Sequence, residues 1–302
     1  MSWKITAYAS ADTIRAALIA HEDALDWPDD MVLAGSEIAE DKPDEWQLEV
    51  WLERSPSGAD RAAIAALFTE CVPELIAQEL ADEDWITLSQ QGTEPILEGP
   101  FYIHTPDFPD QIGLKNFTIP ASQAFGTGQH ATTAGCLAML AHMRARGLRV
   151  QNMADIGTGT GLLAFAALHL WPRTRAIASD IDPVCAPVIA ENIAANAIAT
   201  GQGPGQLTVV IAPGMAHPLL RAAAPYDLVI ANILAGPLIE LAPDFAGSVM
   251  GGGNLLLAGL LQTQEAAVRA AYRRAGFRLA ARTVRGDWSI LWLRRRSARL
   301  SR

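Results

Sequence analysis

"VQNMADIGTGTGLLAFAALHL", Val150–Leu170, is the stretch on which the fold turns. A short apolar run ends at Ile156. Glycines follow at 157, 159 and 161, and an alanine- and leucine-rich segment with helical character begins just past Gly161. Glycines in such a loop let the backbone turn tightly and let a ligand come close to it. The helix start behind them offers N–H groups with no partner inside the helix. Strand, glycine loop and helix together predict the first unit of a doubly wound sheet, whose ligands bind outside the carboxyl ends of the strands.

The spacing narrows the ligand. The dinucleotide fingerprint is G-x-G-x-x-G, but here the third glycine comes one residue early and Leu162 stands in its place. No Walker lysine is near. Asp155, just ahead of the first glycine, repels phosphate and suits a cationic ligand. A ligand with ammonium and sulfonium charges and no phosphate fits, which points to S-adenosylmethionine.

Working outward, "TRAIASDI" reads as the next strand, with Asp180 at its end, in position to accept hydrogen bonds from two ribose hydroxyls. Asp182 offers itself for the same task or as the cap of the helix that begins at Pro183; the reading favours Asp180 for the ribose and Asp182 for the cap. "YDLVIANIL" is an apolar strand ending at Asn232, and a polar amide at the end of a buried strand needs a partner. Across the crevice that neighbour would be the methyl of the cofactor; the plainer alternative is a turn asparagine. Gly157, Gly159, Asp180 and Asn232 are therefore expected to face one crevice, with Asn232 the candidate catalytic residue.

Upstream lies a second glycine-rich stretch, "AFGTGQHATT", Ala124–Thr133. It is expected to form a flap over the methionine end of the cofactor, so that two loops make two walls of one site. Thr132 and Thr133 would cap the helix from Thr132 to Arg146, and Phe125 would cover an apolar part of ligand or substrate. His130 is a candidate base, set against the commoner reading of a structural loop histidine.

From about Val150 the alternation of strands and helices specifies a mostly parallel sheet with helices on both faces. Within it "PLIELAPDFAGSVM" reads as one helix, and "FRLAARTVRGDWSILWLRR" closes the chain as an antiparallel pair. The first ninety residues read as a small α+β, ferredoxin-like unit. "WQLEVWLE" alternates strictly, with Trp51 on its polar face among acids, either a binding surface or covered by a neighbour. Pro73 opens a short helical stretch ending near Trp85. The expected division is 1–72 for the small domain, 73–93 for a helical linker and 94–302 for the larger α/β domain.

Composition sets bounds. The chain has 302 residues, 50% hydrophobic and 19% charged, with a formal net charge of −10. That is core enough for a globular protein, and no run approaches the roughly 20 apolar residues of a membrane helix. The N-terminus lacks signal-peptide character, so a cytoplasmic protein is expected. An acidic surface disfavours stable nucleic-acid binding and favours a basic polypeptide, or simply keeps the protein in solution. Cys71, Cys136 and Cys185 are too far apart for a zinc motif and read as small buried hydrophobes; no metal is expected.

"AFGTGQHATT", "DIGTGTGLLAFAA", "SDIDPVCAPVIAENIAAN" and "ANILAGPLIELAP" resemble the bacterial ribosomal large-subunit protein L-eleven methyltransferases, the PrmA family. The resemblance is strong from about Phe101 onward. It implies a seven-stranded methyltransferase sheet, S-adenosylmethionine as cofactor, and methyl transfer to lysine and α-amino groups of ribosomal protein L-eleven, recognised by the small N-terminal domain. It places cofactor contacts on Thr133, Gly157, Asp180 and Asn232. The chain departs from the family at Gln129 and Ala131, where threonine and proline are frequent, at Thr158, where cysteine is frequent, and in a longer loop around "GQGPGQ". Methyltransferases of bases or glutamine amides usually follow the asparagine with Pro-Pro and an aromatic. Here Ile233 and Leu234 follow, which suits an aliphatic amine. The alternative is a methyltransferase of another protein lysine or a small molecule.

Overall fold

The computed structural model describes residues 2–22, 27–28, 31–38, 44–52, 54–69, 71–80, 95–120 and 129–297. The chain divides into two units, Met1–Gly92 and Thr93–Arg302.

The first unit holds β1 (Ser2–Ser10), α1 (Ala11–Glu22), β2 (Met31–Glu37), β3 (Glu45–Leu52), α2 (Gly58–Ala66) and β4 (Ile76–Leu80). The strands form an antiparallel sheet in the order β2-β3-β1-β4, the ferredoxin-like arrangement. The period of two in β3 sends Leu48, Val50 and Leu52 into a core with Ile14 and Ala17 of α1 and Ile64 of α2. A reciprocal capping box between Ser57 and Asp60 starts α2. Hydrogen bonds from the Arg54 guanidinium, at 2.6 and 3.0 Å, hold the buried Asp60 carboxyl well below the usual carboxylate range.

Two expectations change here. Residues 76–80 are not helical: they pair antiparallel with β1, Ile76 opposite Thr6 and Leu80 opposite Ser2, so the ladder of an open strand edge overrides the helical character read after Pro73. Residues 81–94, the rest of the expected linker, lie outside the described residues. Cys71 is exposed and lies beyond the end of α2, not in a buried helical stripe, because α2 stops at Ala66. Trp51 faces away from the helices, beside Lys4 and Val32, and is half-buried.

The second unit opens with a three-stranded sheet of β5 (Ile96–Glu98), β6 (Phe101–His104) and β7 (Lys115–Thr118). Then follow α3 (Gln129–Ala145), β8 (Asn152–Ile156), α4 (Leu162–Leu170), β9 (Arg175–Asp180), α5 (Cys185–Ala195), β10 (Leu207–Ile211), α6 (Pro218–Ala223) and β11 (Tyr226–Asn232). The chain ends with α7 (Ala235–Glu240), α8 (Ala242–Ser248), β12 (Val249–Leu261), α9 (Glu265–Arg274), β13 (Phe277–Arg285) and β14 (Trp288–Arg295). The seven-stranded sheet runs β10-β9-β8-β11-β12-β14-β13, parallel from β10 to β12, with β14 antiparallel to both its neighbours. The doubly wound, mostly parallel architecture expected from the sequence is the one observed.

β11 shows why its sequence is apolar without alternation. Leu228 and Ile230 enter the core under α3 and α4, while Val229 and Ala231 enter the core under α7, α8 and α9. A strand covered on both faces reads as a continuous apolar run. The stretch expected as one helix from Pro237 to Met250 is two short helices and a strand start. Pro243 has no N–H and its ring excludes the carbonyl four residues back, so the chain breaks at Leu241. α6, not read from the sequence, is started by Pro218 behind the His217 side chain, which accepts the Leu219 N–H at 3.2 Å. No described helix is long and apolar enough to cross a membrane.

The chain steps from β8 outward to β9 and β10, then returns to β11 on the other side of β8. The reversal opens a crevice beyond the carboxyl ends of β8 and β11.

Candidate functional site

The glycine loop is laid across the end of β9. The Gly157 and Thr158 N–H groups both donate to the Ser179 carbonyl, at 2.8 and 3.0 Å, and the Gly159 N–H donates to Asp180 Oδ2 at 2.8 Å. Gly157 has φ +70°, in the left-handed region, and a side chain there would meet Ile233. α4 then begins directly behind Gly161.

Asp155 lies one strand residue before this loop and is buried. The Thr158 hydroxyl donates to its Oδ2 at 2.7 Å, while Oδ1 receives no hydrogen bond. Burial pushes the carboxyl up to about 7; the Thr158 hydroxyl and the Ala164 N–H pull it back, and the charge of Asp180 adds to the rise. The buried Cys136 thiol of α3 is raised out of its ordinary range by burial and by Asp155. Asp155 is thus a buried acid beneath the glycine loop with one oxygen unpaired and out of reach of solvent.

Asp180 is nearly buried at the end of β9. Its Oδ2 holds the Gly159 N–H and its Oδ1 the Asp182 N–H at 3.1 Å. A carboxylate has about four lone-pair sites, so each oxygen keeps capacity for one more donor. Asp182 accepts the Val184 N–H at 2.9 Å in a local turn, but α5 starts only at Cys185 with Val184 at its cap position and no side-chain cap bond, so the helix cap expected of Asp182 is not formed. Cys185 opens α5, and burial, with Asp180 and Asp182, pushes its thiol up to about 11.

Asn232 ends β11. Its predecessor Ala231 pairs with Ile156, and Asn232 pairs with Ala258 of β12, so its backbone lies beside the start of the glycine loop. Gly157, Gly159, Asp180 and Asn232 thus come from three adjacent strand ends. Thr132 and Thr133 lie inside α3. That helix starts at Gln129, so neither threonine sits at its cap; Thr132 is the fourth helical residue and buried, Thr133 the fifth and half-buried. Extension of the helix through Gln129, His130 and Ala131 moves the cap upstream. Phe125, with the rest of 121–128, lies outside the described residues, as does the side chain of His130.

Two residues escaped the sequence reading. Asn192 of α5, buried, donates to the Thr160 carbonyl at 2.9 Å and braces the glycine loop from behind. Asn196 clamps the backbone of Thr118, accepting its N–H at 2.9 Å and donating to its carbonyl at 2.8 Å. The signal was two amides four residues apart, one on α5 and one at its C-terminal cap, in a mostly apolar stretch. A cavity of about 360 Å³ lined by Ala186, Ile193, Thr200, Leu207 and Val209 lies between α5 and β10 and carries no titratable side chain. Among the described residues no three His, Cys, Asp or Glu side chains group as metal ligands would.

The family model described as ribosomal protein L11 methyltransferase (PrmA) matches residues 29–296. The chain belongs to the ribosomal protein L11 methyltransferase family. It is 39% identical over 284 residues to a ribosomal protein L11 methyltransferase of Rhizobium meliloti, covering 93% of this chain and 95% of that one. It is 38% identical over 271 residues to one of Rhizobium rhizogenes, covering 88% and 90%. Among solved structures it is similar to a ribosomal protein L11 methylase of Lactobacillus delbrueckii subsp. bulgaricus, with a TM-score of 0.56 and 25% identity over 67% of this chain and 97% of that one. The PrmA family match takes in most of the first unit and nearly all of the second.

Proposed function

We propose that this chain transfers methyl groups from S-adenosylmethionine to amino groups, lysine side chains and α-amine, of ribosomal protein L11. The observation that carries the reading is the convergence of β8, β9 and β11 on one crevice whose strand ends carry Asp155, Asp180 and Asn232. Residues 152–161, 178–185 and 228–236 contain no Lys or Arg, so the crevice is built for a ligand without phosphate. The acids Asp155 and Asp180 and the glycine backbone suit a compact cationic ligand, and the cofactor fits on those grounds.

Each residue takes a role. Gly157 and Gly159 let the ligand approach the backbone. Asp180 accepts the ribose hydroxyls with its remaining lone pairs, and Asp155 faces the ammonium group. Thr132 and Thr133, in the first turns of α3, serve the methionine end. When bound, S-adenosylmethionine supplies an electrophilic methyl on a positively charged sulfur. Asn232 orients the incoming nitrogen through its side-chain carbonyl.

Only a neutral amine has a lone pair to give. Deprotonating a lysine of pKa about 10.4 at pH 7 costs roughly 4–5 kcal/mol, and an α-amine near 7.7–8.0 only about 1 kcal/mol. Withdrawal from water lowers an amine pKa, so the crevice itself supplies part of that cost. Positioning then does most of the catalysis, and the lost proton passes to solvent. The unit Met1–Gly92 serves as the docking module for the protein substrate.

Ribosomal protein L11 incubated with the full chain and labelled S-adenosylmethionine, followed by peptide mass spectrometry, tests the reading. Methylated lysines or α-amine are expected; label transferred only to other proteins or to small molecules would reject the substrate. Asn232→Ala is expected to retain measurable cofactor binding and lose turnover.

A further inference from the structure

The backbone that carries Asn232 is gripped from two sides by glycines. Past the end of β11, the Ile233 N–H still donates to the Ala258 carbonyl, at 3.2 Å, so the parallel ladder continues one residue further. β12 bulges at that point: Leu257 pairs with Leu291 and Leu260 with Ser289, one residue too many on β12. Bulges of this kind re-aim neighbouring residues next to active sites. Gly259 lies in the bulge with φ +82°. A Cβ on it would stand 2.4 Å from the Ile233 oxygen, 2.7 Å from its carbonyl carbon and 2.9 Å from its nitrogen. All three are backbone atoms, so no rotamer change relieves the clash.

On the other side stands the glycine loop. A Cβ on Gly157 would lie 2.2 Å from Ile233 Cγ2, so the Ile233 methyl occupies the space that a side chain at 157 would take. The next residue, Leu234, is 69% exposed. Ile233 is therefore held from both sides, one peptide from Asn232 and just ahead of α7.

We propose that Ile233 is a positioning residue: wedged between Gly157 and Gly259, it sets the Asn232 amide against the glycine loop, so that the donor side and the acceptor side of methyl transfer share one contact. This rests on the reading of Asn232 as the residue that orients the amine. The physical reason for such a wedge is steep. An in-line transfer tolerates little error, and a misplacement of about 1 Å costs about 10²-fold in rate. Past its last ladder bond a strand end can vary in direction; a β-branched side chain seated on a glycine fixes it.

The test compares Ile233→Val with Ile233→Leu. Valine keeps the branch at Cβ and the methyl over Gly157. Leucine keeps the volume but moves the branch outward, a swap that normally costs less than about 1.5 kcal/mol of stability. Expected are near-parental kcat for Ile233→Val and a fall of about 10- to 100-fold for Ile233→Leu, with the protein-substrate KM and the thermal midpoint close to those of the parent. Gly157→Ala is expected to weaken cofactor binding and to be partly restored by Ile233→Ala, because that clash is with a side chain. Gly259→Ala is expected to lower kcat with no restoration by Ile233→Ala, because that clash is with backbone. A folded Ile233→Leu with parental kcat overturns the wedge. Asn232→Ala in the same assay separates the two ideas: full turnover there removes the orienting role itself, whereas lost turnover there with parental kcat in Ile233→Leu removes only the wedge.

Discussion

The Thr158 hydroxyl holds Asp155 Oδ2 at 2.7 Å, while Oδ1 of the same buried carboxyl receives no hydrogen bond. The pair sits directly under the glycine loop. Thr158 orients the carboxyl, and burial disfavours its charge.

A pH dependence follows from this. A free aspartate titrates near 3.8, and folded Asp155 at about 7. Between those values the folded chain keeps a proton that the unfolded chain has lost, so the contribution of this group to stability falls as pH rises from about 4 to about 7. Asp155→Asn removes that slope. Thermal melts of the ligand-free protein at pH 5 and pH 8 are expected to show the variant gaining on the parent at the higher pH, by a few kcal/mol at most. An unchanged gap would show that Asp155 titrates like an exposed acid.

Ligand affinity should move the opposite way. Above pH 7 the ionised Asp155 meets an ammonium group, so S-adenosylhomocysteine is expected to bind the parent more tightly at pH 8 than at pH 6 and to bind Asp155→Asn with little difference between them. Titration calorimetry at both pH values checks it. A parent without the rise argues that the carboxyl faces something other than the ligand.

Asp180 already serves the fold through Gly159 and Asp182, which makes its substitution informative. Hydrogen bonds to a charged group are worth about 1.5–3 kcal/mol each, so Asp180→Ala is expected to weaken cofactor binding by about 10- to 100-fold, and Asp180→Asn by less. If Asp180→Ala binds the cofactor as the parent does, the ribose contact lies elsewhere.

Glu265 is a different kind of buried acid. Burial raises its pKa, but hydrogen bonds from Ser289 at 2.7 Å, Arg282 at 2.6 Å and Arg269 at 3.0 Å outweigh that and hold the carboxyl below its ordinary value. Its contribution is present above the unfolded pKa and lost as pH falls through the folded one. Glu265→Gln should destabilise the protein by about 1–3 kcal/mol at pH 7 and by progressively less below pH 4, as seen by denaturant unfolding. A constant difference across that range would mean the shape of the side chain, not its charge, is what matters.

The two units differ in charge. Residues 1–92 carry twenty Asp and Glu against five Lys and Arg; the remainder carries thirteen against eighteen. If the acidic unit docks a basic substrate, the protein-substrate KM should rise with salt while kcat stays level, since exposed charges are screened beyond about 8 Å at physiological ionic strength. A KM indifferent to salt would place recognition on apolar contacts instead.

Much of this site was legible because it depends on local rules. Gly157 and Gly159 announce a left-handed loop after a strand, and Asp180 and Asn232 are polar residues closing apolar strands. Alternation of elements brings such ends to one side of a sheet. Residues 76–80 were misread because strand identity there comes from pairing with β1, more than seventy residues away. Thr132 and Thr133 were assigned to a cap because helix starts are weakly marked where glutamine, histidine and alanine extend the helix upstream.

By itself, then, the amino-acid order determined the α/β class and the succession of strand ends at Gly157, Asp180 and Asn232, all properties of neighbouring residues. Only the tertiary structure decided that Asp155 has an open oxygen, that Asn192 braces the loop, and that Ile233 is seated between Gly157 and Gly259. These are contacts between segments far apart in the chain, and close packing, which has no sequence period, chooses them.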